Sequence, residues 1–168
     1  MTLQTERLTL RRLRACDDDA LVALLRDERV GETYMVPPLA TDEAAKKLAL
    51  RLRALSEGDA HFVRGICLGD TMIGMINDTE RTQDTVEIGY ALLPPYWGRG
   101  YATEALTAVI AAMHDAGFRE VIAGAFEHHA ASLRVMQKCG MTPSDRRATV
   151  EYRGVLHRCI YYSSKKSI

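Results

Sequence analysis

At 168 residues, 47% of them hydrophobic, the chain is long enough to close one substantial core and too short for two comfortable ones. Its 22 basic and 22 acidic residues cancel, which excludes a whole-protein field that would draw in nucleic acid or anionic lipid and makes any anion site a local one. Residues 1–14 alternate charged and apolar side chains without the apolar run of a leader, and no window approaches the ~20 apolar residues of a membrane span. One soluble, cytoplasmic domain over residues 1–168 is therefore expected.

Thr5 to Leu13 sets Leu8 and Leu10 on one side at period 2, which predicts an opening strand. Asp17, Asp18 and Asp19 precede an apolar run from Ala20 to Leu25, and carboxylates there are expected to cap a helix rather than to do chemistry. Tyr34 to Pro38 cannot continue a helix, whereas Thr41 offers an N-cap for a helix carrying Leu48, Leu52 and Leu55 and stopping at Gly58. His61 to Leu68 and Thr71 to Asn77 read as a hairpin about Gly69-Asp70, followed by a polar loop from Asp78 to Gln83. Val86 to Leu93 is a strand closed by Pro94-Pro95.

Leu106, Val109, Ile110 and Met113 recur at i, i+3, i+4 and i+7 on a helix starting near Ala102 and ending at Gly117. Phe118 to Phe126 predicts a strand, Ala130 to Cys139 a short helix closed by Gly140, and the remainder a hairpin turning at Arg153-Gly154. The order implies an α+β domain with a largely antiparallel sheet. Cys16, Cys67, Cys139 and Cys159 are far apart and lack any zinc-ligand spacing, so they read as buried free thiols. The adjacent His128 and His129 point apart and have no spaced partner, so no metal is expected.

The stretch from Glu87 to Ala105 carries the chemistry. It reads as a strand, a glycine loop and a helix N-terminus, in which Gly98, Gly100 and Ala102 let the backbone approach a ligand while free N–H groups favour negative charge. This is a phosphate cradle. The G-x-x-x-x-G-K-[ST] spacing of a nucleotide P-loop is absent, and Thr103 occupies the last position that a dinucleotide fingerprint counted from Gly98 would need small.

Trp97-Gly98-Arg99-Gly100-Tyr101-Ala102, after Glu87-Ile88-Gly89-Tyr90, resembles the pyrophosphate loop of the GNAT acetyltransferase family, R/Q-x-x-G-x-G/A, with Gly100 and Ala102 matching. Trp97 stands where the family usually has Arg or Gln, and W-G-x-G-Y-A is similar to the branch of ribosomal-protein N-terminal acetyltransferases that modify alanine or serine. His129-Ala130-Ala131-Ser132 resembles that branch's N-x-x-S, with His129 in place of Asn, and Met136 stands where many members carry a tyrosine acid. The resemblance implies the GNAT fold, a mixed and mostly antiparallel splayed sheet flanked by helices. It also implies acetyl-CoA as co-substrate and a primary amine as acceptor, in a monomer or homodimer.

On that resemblance, Glu87 is the expected general base, acting directly or through water, against the alternative of a solvated strand glutamate. Ser132 is expected to assist the departing thiolate, against the alternative of a helix-terminal serine satisfying a backbone group. Main-chain N–H groups of Leu92 and Leu93 would polarise the thioester carbonyl. Trp97, Gly98, Gly100, Tyr101 and Ala102 would hold pyrophosphate, with Arg99, Lys138 and His129 adding contacts, and Glu104 is expected to be structural. The branch implies a protein N-terminal α-amine as acceptor. A small-molecule amine (polyamine, antibiotic or amino acid) is the alternative, an acidic cleft favouring polyamines or aminoglycosides and a shallow groove open at the surface a polypeptide, and a non-catalytic acyl-CoA-binding module is a third reading. Residues 34–38 and the C-terminal hairpin are expected to wall the acceptor cleft.

Overall fold

The computed structural model describes residues 1–37 and 39–166. The chain enters through a small hairpin of β1 (Leu3–Gln4) and β2 (Leu8–Arg11). The expected strand from Thr5 is shorter because Thr5 turns the chain, its Oγ1 accepting the Leu8 N–H at 3.0 Å. A 3₁₀ turn, Ala15–Asp17, leads into α1 (Asp18–Arg26) and α2 (Glu28–Gly31), and α3 (Asp42–Glu57) follows. Pro38, part of the predicted helix-breaking segment, lies outside the described residues. Thr41 caps α3 as expected, accepting the Ala44 N–H at 3.1 Å.

Asp17 makes no side-chain cap bond to α1 and instead closes the capping box of the preceding 3₁₀ turn. Its buried carboxylate takes the Arg14 N–H at 2.7 Å and grips the buried Arg11 guanidinium with two bonds of 2.7 and 3.0 Å. Arg11 lies on the sheet face beneath α1, and a guanidinium buried there requires a counter-charge.

The next elements are β3 (Val63–Leu68), β4 (Thr71–Arg81) and β5 (Thr85–Leu92). The expected polar loop at Asp78 to Gln83 is largely strand: Glu80 and Arg81 pair with Glu87 and Val86 past a bulge between Asp78 and Glu80. Pairing with β5 overrides the weak strand preference of these polar residues. Then come α4 (Tyr101–Asp115), β6 (Glu120–Phe126), α5 (Ala130–Lys138), β7 (Thr142–Tyr152) and β8 (Val155–Lys165). The last hairpin turns where expected, with Arg153 and Gly154 at φ of 52° and 75°.

The sheet has eight strands in the order β1-β2-β3-β4-β5-β6-β8-β7, all neighbours antiparallel except β5 and β6. One face buries the α4 stripe of Leu106, Val109, Ile110 and Met113, with Met136 of α5, against Ile66, Ile76, Val86, Ile88 and Val121. Each such side chain contributes about 1.5–3 kcal/mol by leaving water. The other face carries Leu21, Leu24 and Leu25 of α1 and Ala49 of α3 over Val63, Cys67, Met75 and Ala91. The four cysteines are free; Cys67 and Cys159 are buried, whereas Cys139 is half-buried and Cys16 exposed. Among the described residues no helix is long and apolar enough to cross a membrane.

Candidate active site

β5 and β6 stay paired over only three residues, Thr85–Glu87 against Glu120–Ile122. Beyond Glu87 the strands diverge, because β6 follows β8 along its whole length while β5 follows β4. The sheet is therefore split by a V whose vertex is at Glu87. A cavity of about 370 Å³ passes through the split, bounded on one face by α4 and α5 and on the other by Val30, Thr33 and Tyr34.

Strand alternation decides which backbone groups face this cavity. The Leu93 N–H is taken by the Ile73 carbonyl at 2.8 Å, so the N–H groups of Ile88, Tyr90 and Leu92 point the other way, into the split. Of the two main-chain donors expected from sequence, only Leu92 is available; the ladder consumes Leu93. The Leu92 carbonyl accepts the Trp97 indole N–H at 2.7 Å, which ties the loop back onto the strand it leaves.

That loop makes a 3₁₀ turn at Pro94–Tyr96 and then needs two left-handed residues, Gly98 at φ 71° and Gly100 at φ 82°. Only glycine adopts this conformation cheaply. The first helical bond of α4 runs from the Glu104 N–H to the Gly100 carbonyl, so the N–H groups of Tyr101, Ala102 and Thr103 have no partner within the helix. They sit at the positive end of a fifteen-residue helix, and Trp97, Gly98, Gly100, Tyr101, Ala102 and Thr103 all line the cavity. Arg99 does not: its side chain is exposed, and its carbonyl accepts from Arg7 Nη1 at 3.0 Å. Glu104 is structural, as expected. Its carboxylate receives the Thr5 hydroxyl at 2.6 Å and the Arg7 N–H at 2.8 Å, and these bonds with the Arg7 charge outweigh burial and lower its pKa.

α5 closes the cavity. His129, Ser132 and Lys138 line it, and so does Arg134, which sequence reasoning missed. The signal was there, since Ala131, Arg134, Val135 and Lys138 form an i, i+3, i+4, i+7 stripe on α5. Burial, assisted by the neighbouring His128, lowers the His129 pKa and keeps its ring neutral near pH 7. His128 turns away and stacks on Phe126 with centroids 5.7 Å apart. Met136 is fully buried in the core.

The Ser132 hydroxyl does not bond a helix backbone group. Its partner is the Tyr90 phenol, 2.8 Å away across the split. Tyr90 lines the cavity and was given no role in the sequence reading. Burial raises the phenol's pKa well above its ordinary 10.0, against the opposing bond from Ser132, so it stays protonated.

Glu87 lies outside the cavity lining, at the vertex of the split, on the sheet face opposite α4. Its Oε2 is 3.0 Å from Arg146 Nη1, and the same guanidinium reaches Glu80 at 3.1 Å and covers the Tyr161 ring. Burial pushes the Glu87 carboxyl above its ordinary 4.5, and the Arg146 charge only partly opposes this. On the same face, Gly124 leaves room that a Cβ would fill, since such an atom would stand 2.5 Å from the Tyr161 ring. The wall opposite is Tyr34, whose phenol donates to Asn77 Oδ1 at 2.7 Å. The C-terminal hairpin supports this wall without lining it: the Tyr152 phenol donates to the Gly31 carbonyl at 2.6 Å.

The donors and cations fit a coenzyme bearing a pyrophosphate and a thioester arm. Free helix N–H groups and the Lys138 and Arg134 cations meet the charge, and the split accepts an extended chain beside Leu92.

Comparison with known proteins agrees with this geometry. Residues 7–142 match the family described as the acetyltransferase (GNAT) domain. The chain is 28% identical over 164 residues to the uncharacterized N-acetyltransferase YoaA of Bacillus subtilis, covering 95% of this chain and 88% of the relative. Its fold is similar to a GNAT-family acetyltransferase from Bacillus anthracis, at a TM-score of 0.83 and 22% identity over 98% of each chain. It is equally similar to RimL, the ribosomal L7/L12 α-N-protein acetyltransferase in complex with coenzyme A, at 0.84 and 17% identity over 98% of each chain. The chain belongs to the GNAT acetyltransferase family and is an N-acetyltransferase.

Proposed function

We propose that the protein transfers the acetyl group of acetyl-CoA to the α-amine of a polypeptide N-terminus. The observation that carries this reading is the neutrality of the acceptor half of the cleft. Among the described residues that half is lined by Val30, Thr33, Tyr34, Gly89 and Gly124, with no Asp or Glu in the cavity lining, and Glu87 at the vertex is already paired with Arg146. Polyamines and aminoglycosides carry several positive charges and need uncompensated anions, which this half of the cleft does not offer. A single amine on an otherwise neutral chain fits it.

The chemistry suits an α-amine as well. Its pKa is near ~8, whereas an alkyl amine titrates near ~10, so less help is needed to expose the lone pair at neutral pH. Glu87 takes the amine proton through a water at the vertex, a contribution of ~10²–10⁴ in rate. The Leu92 N–H donates to the carbonyl oxygen as charge develops on it, worth about 10²–10³ for one such donor. Ser132 donates to the departing sulfur, whose thiol pKa of ~8.5 makes a hydrogen bond sufficient. The N–H groups from Gly98 to Thr103 hold pyrophosphate, with Lys138 and Arg134 alongside. The acetyl group supplies the electrophile, and the residues of this chain align it with the amine.

The test is a competition among peptides with free N-termini, spermidine, kanamycin and free amino acids, with acetyl-CoA as donor and products read by mass spectrometry. Acetylated peptides as the dominant product support the reading. Preferential acetylation of spermidine or kanamycin rejects it in favour of a small-molecule acceptor.

A further inference from the structure

We infer that Tyr90 is a positioning residue that works through Ser132, its phenol fixing the direction in which the serine hydroxyl donates. This rests on the assignment of Ser132 as the group that assists the thiolate. The two hydroxyls are 2.8 Å apart, although they belong to β5 and to α5, 42 residues away in sequence, and both line the cavity.

A serine hydroxyl rotates freely and has one proton. At the third position of α5 it would ordinarily turn to a backbone group, which would aim its proton away from the cleft. Tyr90 removes that freedom. When the phenol donates to Ser132 Oγ, the serine's own proton is left to point to the sulfur that leaves along the same cavity. The alternative phenol acceptor, the Ser132 carbonyl, is at 3.3 Å and competes less well than the hydroxyl at 2.8 Å.

The phenol suits this work because it is held. Tyr90 extends from the part of β5 that has left β6, packs against the α4 core face, and crosses the split to reach α5. A phenol that stays protonated is a permanent donor. Tyr90 moves no proton of its own and ends the reaction as it began; the sulfur receives a hydrogen bond and the amine proton leaves by way of Glu87.

The test is a double-mutant cycle of Tyr90→Phe and Ser132→Ala, with kcat, the KM for acetyl-CoA, and melting temperature for each variant. Phenylalanine keeps the ring and its packing. We expect each single variant to lower kcat by about tenfold, the worth of one well-aligned hydrogen bond, with the KM for acetyl-CoA within about twofold of the parent. The double variant is expected to match Ser132→Ala, because a residue that acts only through the serine has nothing left to do once the hydroxyl is gone. A Tyr90→Phe loss that multiplies with the Ser132→Ala loss overturns the inference while sparing Ser132. A Ser132→Ala variant with unchanged kcat overturns the assignment of Ser132, and this inference with it.

Discussion

Glu87 and Arg146 face each other at 3.0 Å across the sheet, one at the vertex of the split and the other on β7, with Glu80 on the same guanidinium. Glu80 and Glu87 are cross-strand partners, so Arg146 neutralises a like-charge pair that would otherwise repel. Tyr161 and Cys159 of β8 also feel the Glu87 charge, which adds to burial in raising their pKa values.

On the proposed role of Glu87 as the base, this pair is expected to set the pH dependence. Glu87 must be ionised to accept a proton, and burial raises its carboxyl above 4.5, so kcat/KM is expected to fall as pH drops through that raised value. Arg146 favours the ionised form, so Arg146→Met is expected to move the acidic limb to higher pH. Glu87→Gln is expected to remove the carboxyl's contribution to the limb, leaving only the one that the acceptor α-amine makes near its own ~8, and to reduce kcat/KM by ~10²-fold or more. Initial rates from pH 5 to 9 measure both, and an acidic profile of the same shape in Glu87→Gln as in the parent rejects Glu87 as the base.

The phosphate cradle depends on backbone that only glycine tolerates. Gly98→Ala places a Cβ at φ 71°, a strain of roughly 1–2 kcal/mol. Relief of that strain rotates N–H groups away from the cavity, so acetyl-CoA is expected to bind about tenfold more weakly by calorimetry, with little change in the acceptor KM. Unchanged affinity would place pyrophosphate elsewhere.

The acceptor wall is held from behind by Tyr152, which donates to the Gly31 carbonyl at 2.6 Å and accepts the Val36 N–H at 3.3 Å. Tyr152→Phe loosens the segment carrying Thr33 and Tyr34. The expected result in steady-state kinetics is an acceptor KM raised about threefold to tenfold, with acetyl-CoA affinity unaltered.

Stability has its own electrostatic anchor. Removing one partner of the buried Arg11–Asp17 pair leaves a charge unpaired, and Asp17→Asn is expected to cost roughly 3–5 kcal/mol, or about 10 °C in Tm. Burial raises the Asp17 pKa, but bonds from Arg11 and Arg14 more than reverse this and leave it below 3.8. A lowered carboxylate stabilises fully above its unfolded value and loses that contribution as pH falls through its folded value. The Tm gap between parent and variant is therefore expected to hold at pH 7 and to narrow below pH 3.8.

Local signals were legible in the amino-acid sequence. The α4 stripe, the Thr41 cap, the Gly98–Ala102 loop and the Arg153-Gly154 turn each depend on residues within a few positions of one another. Long-range partnerships were not. Asp78 to Arg81 is strand because β5 lies beside it, and Asp17 is a counter-ion because Arg11 is buried beneath α1. Tyr90 gains its role from a helix 42 residues away, and Leu93 loses its own to Ile73. Arg99, expected near phosphate on the family resemblance, is exposed on the loop outside the cavity lining, which the glycines on either side of it join.

The most direct measurement is tandem mass spectrometry of a peptide bearing both a free N-terminus and an internal lysine, after incubation with the protein and acetyl-CoA. The account predicts acetylation confined to the α-amine and lost in Glu87→Gln. Acetylation of the lysine, or no acetylated product from a panel of such peptides under conditions where acetyl-CoA binding is measured, would contradict it.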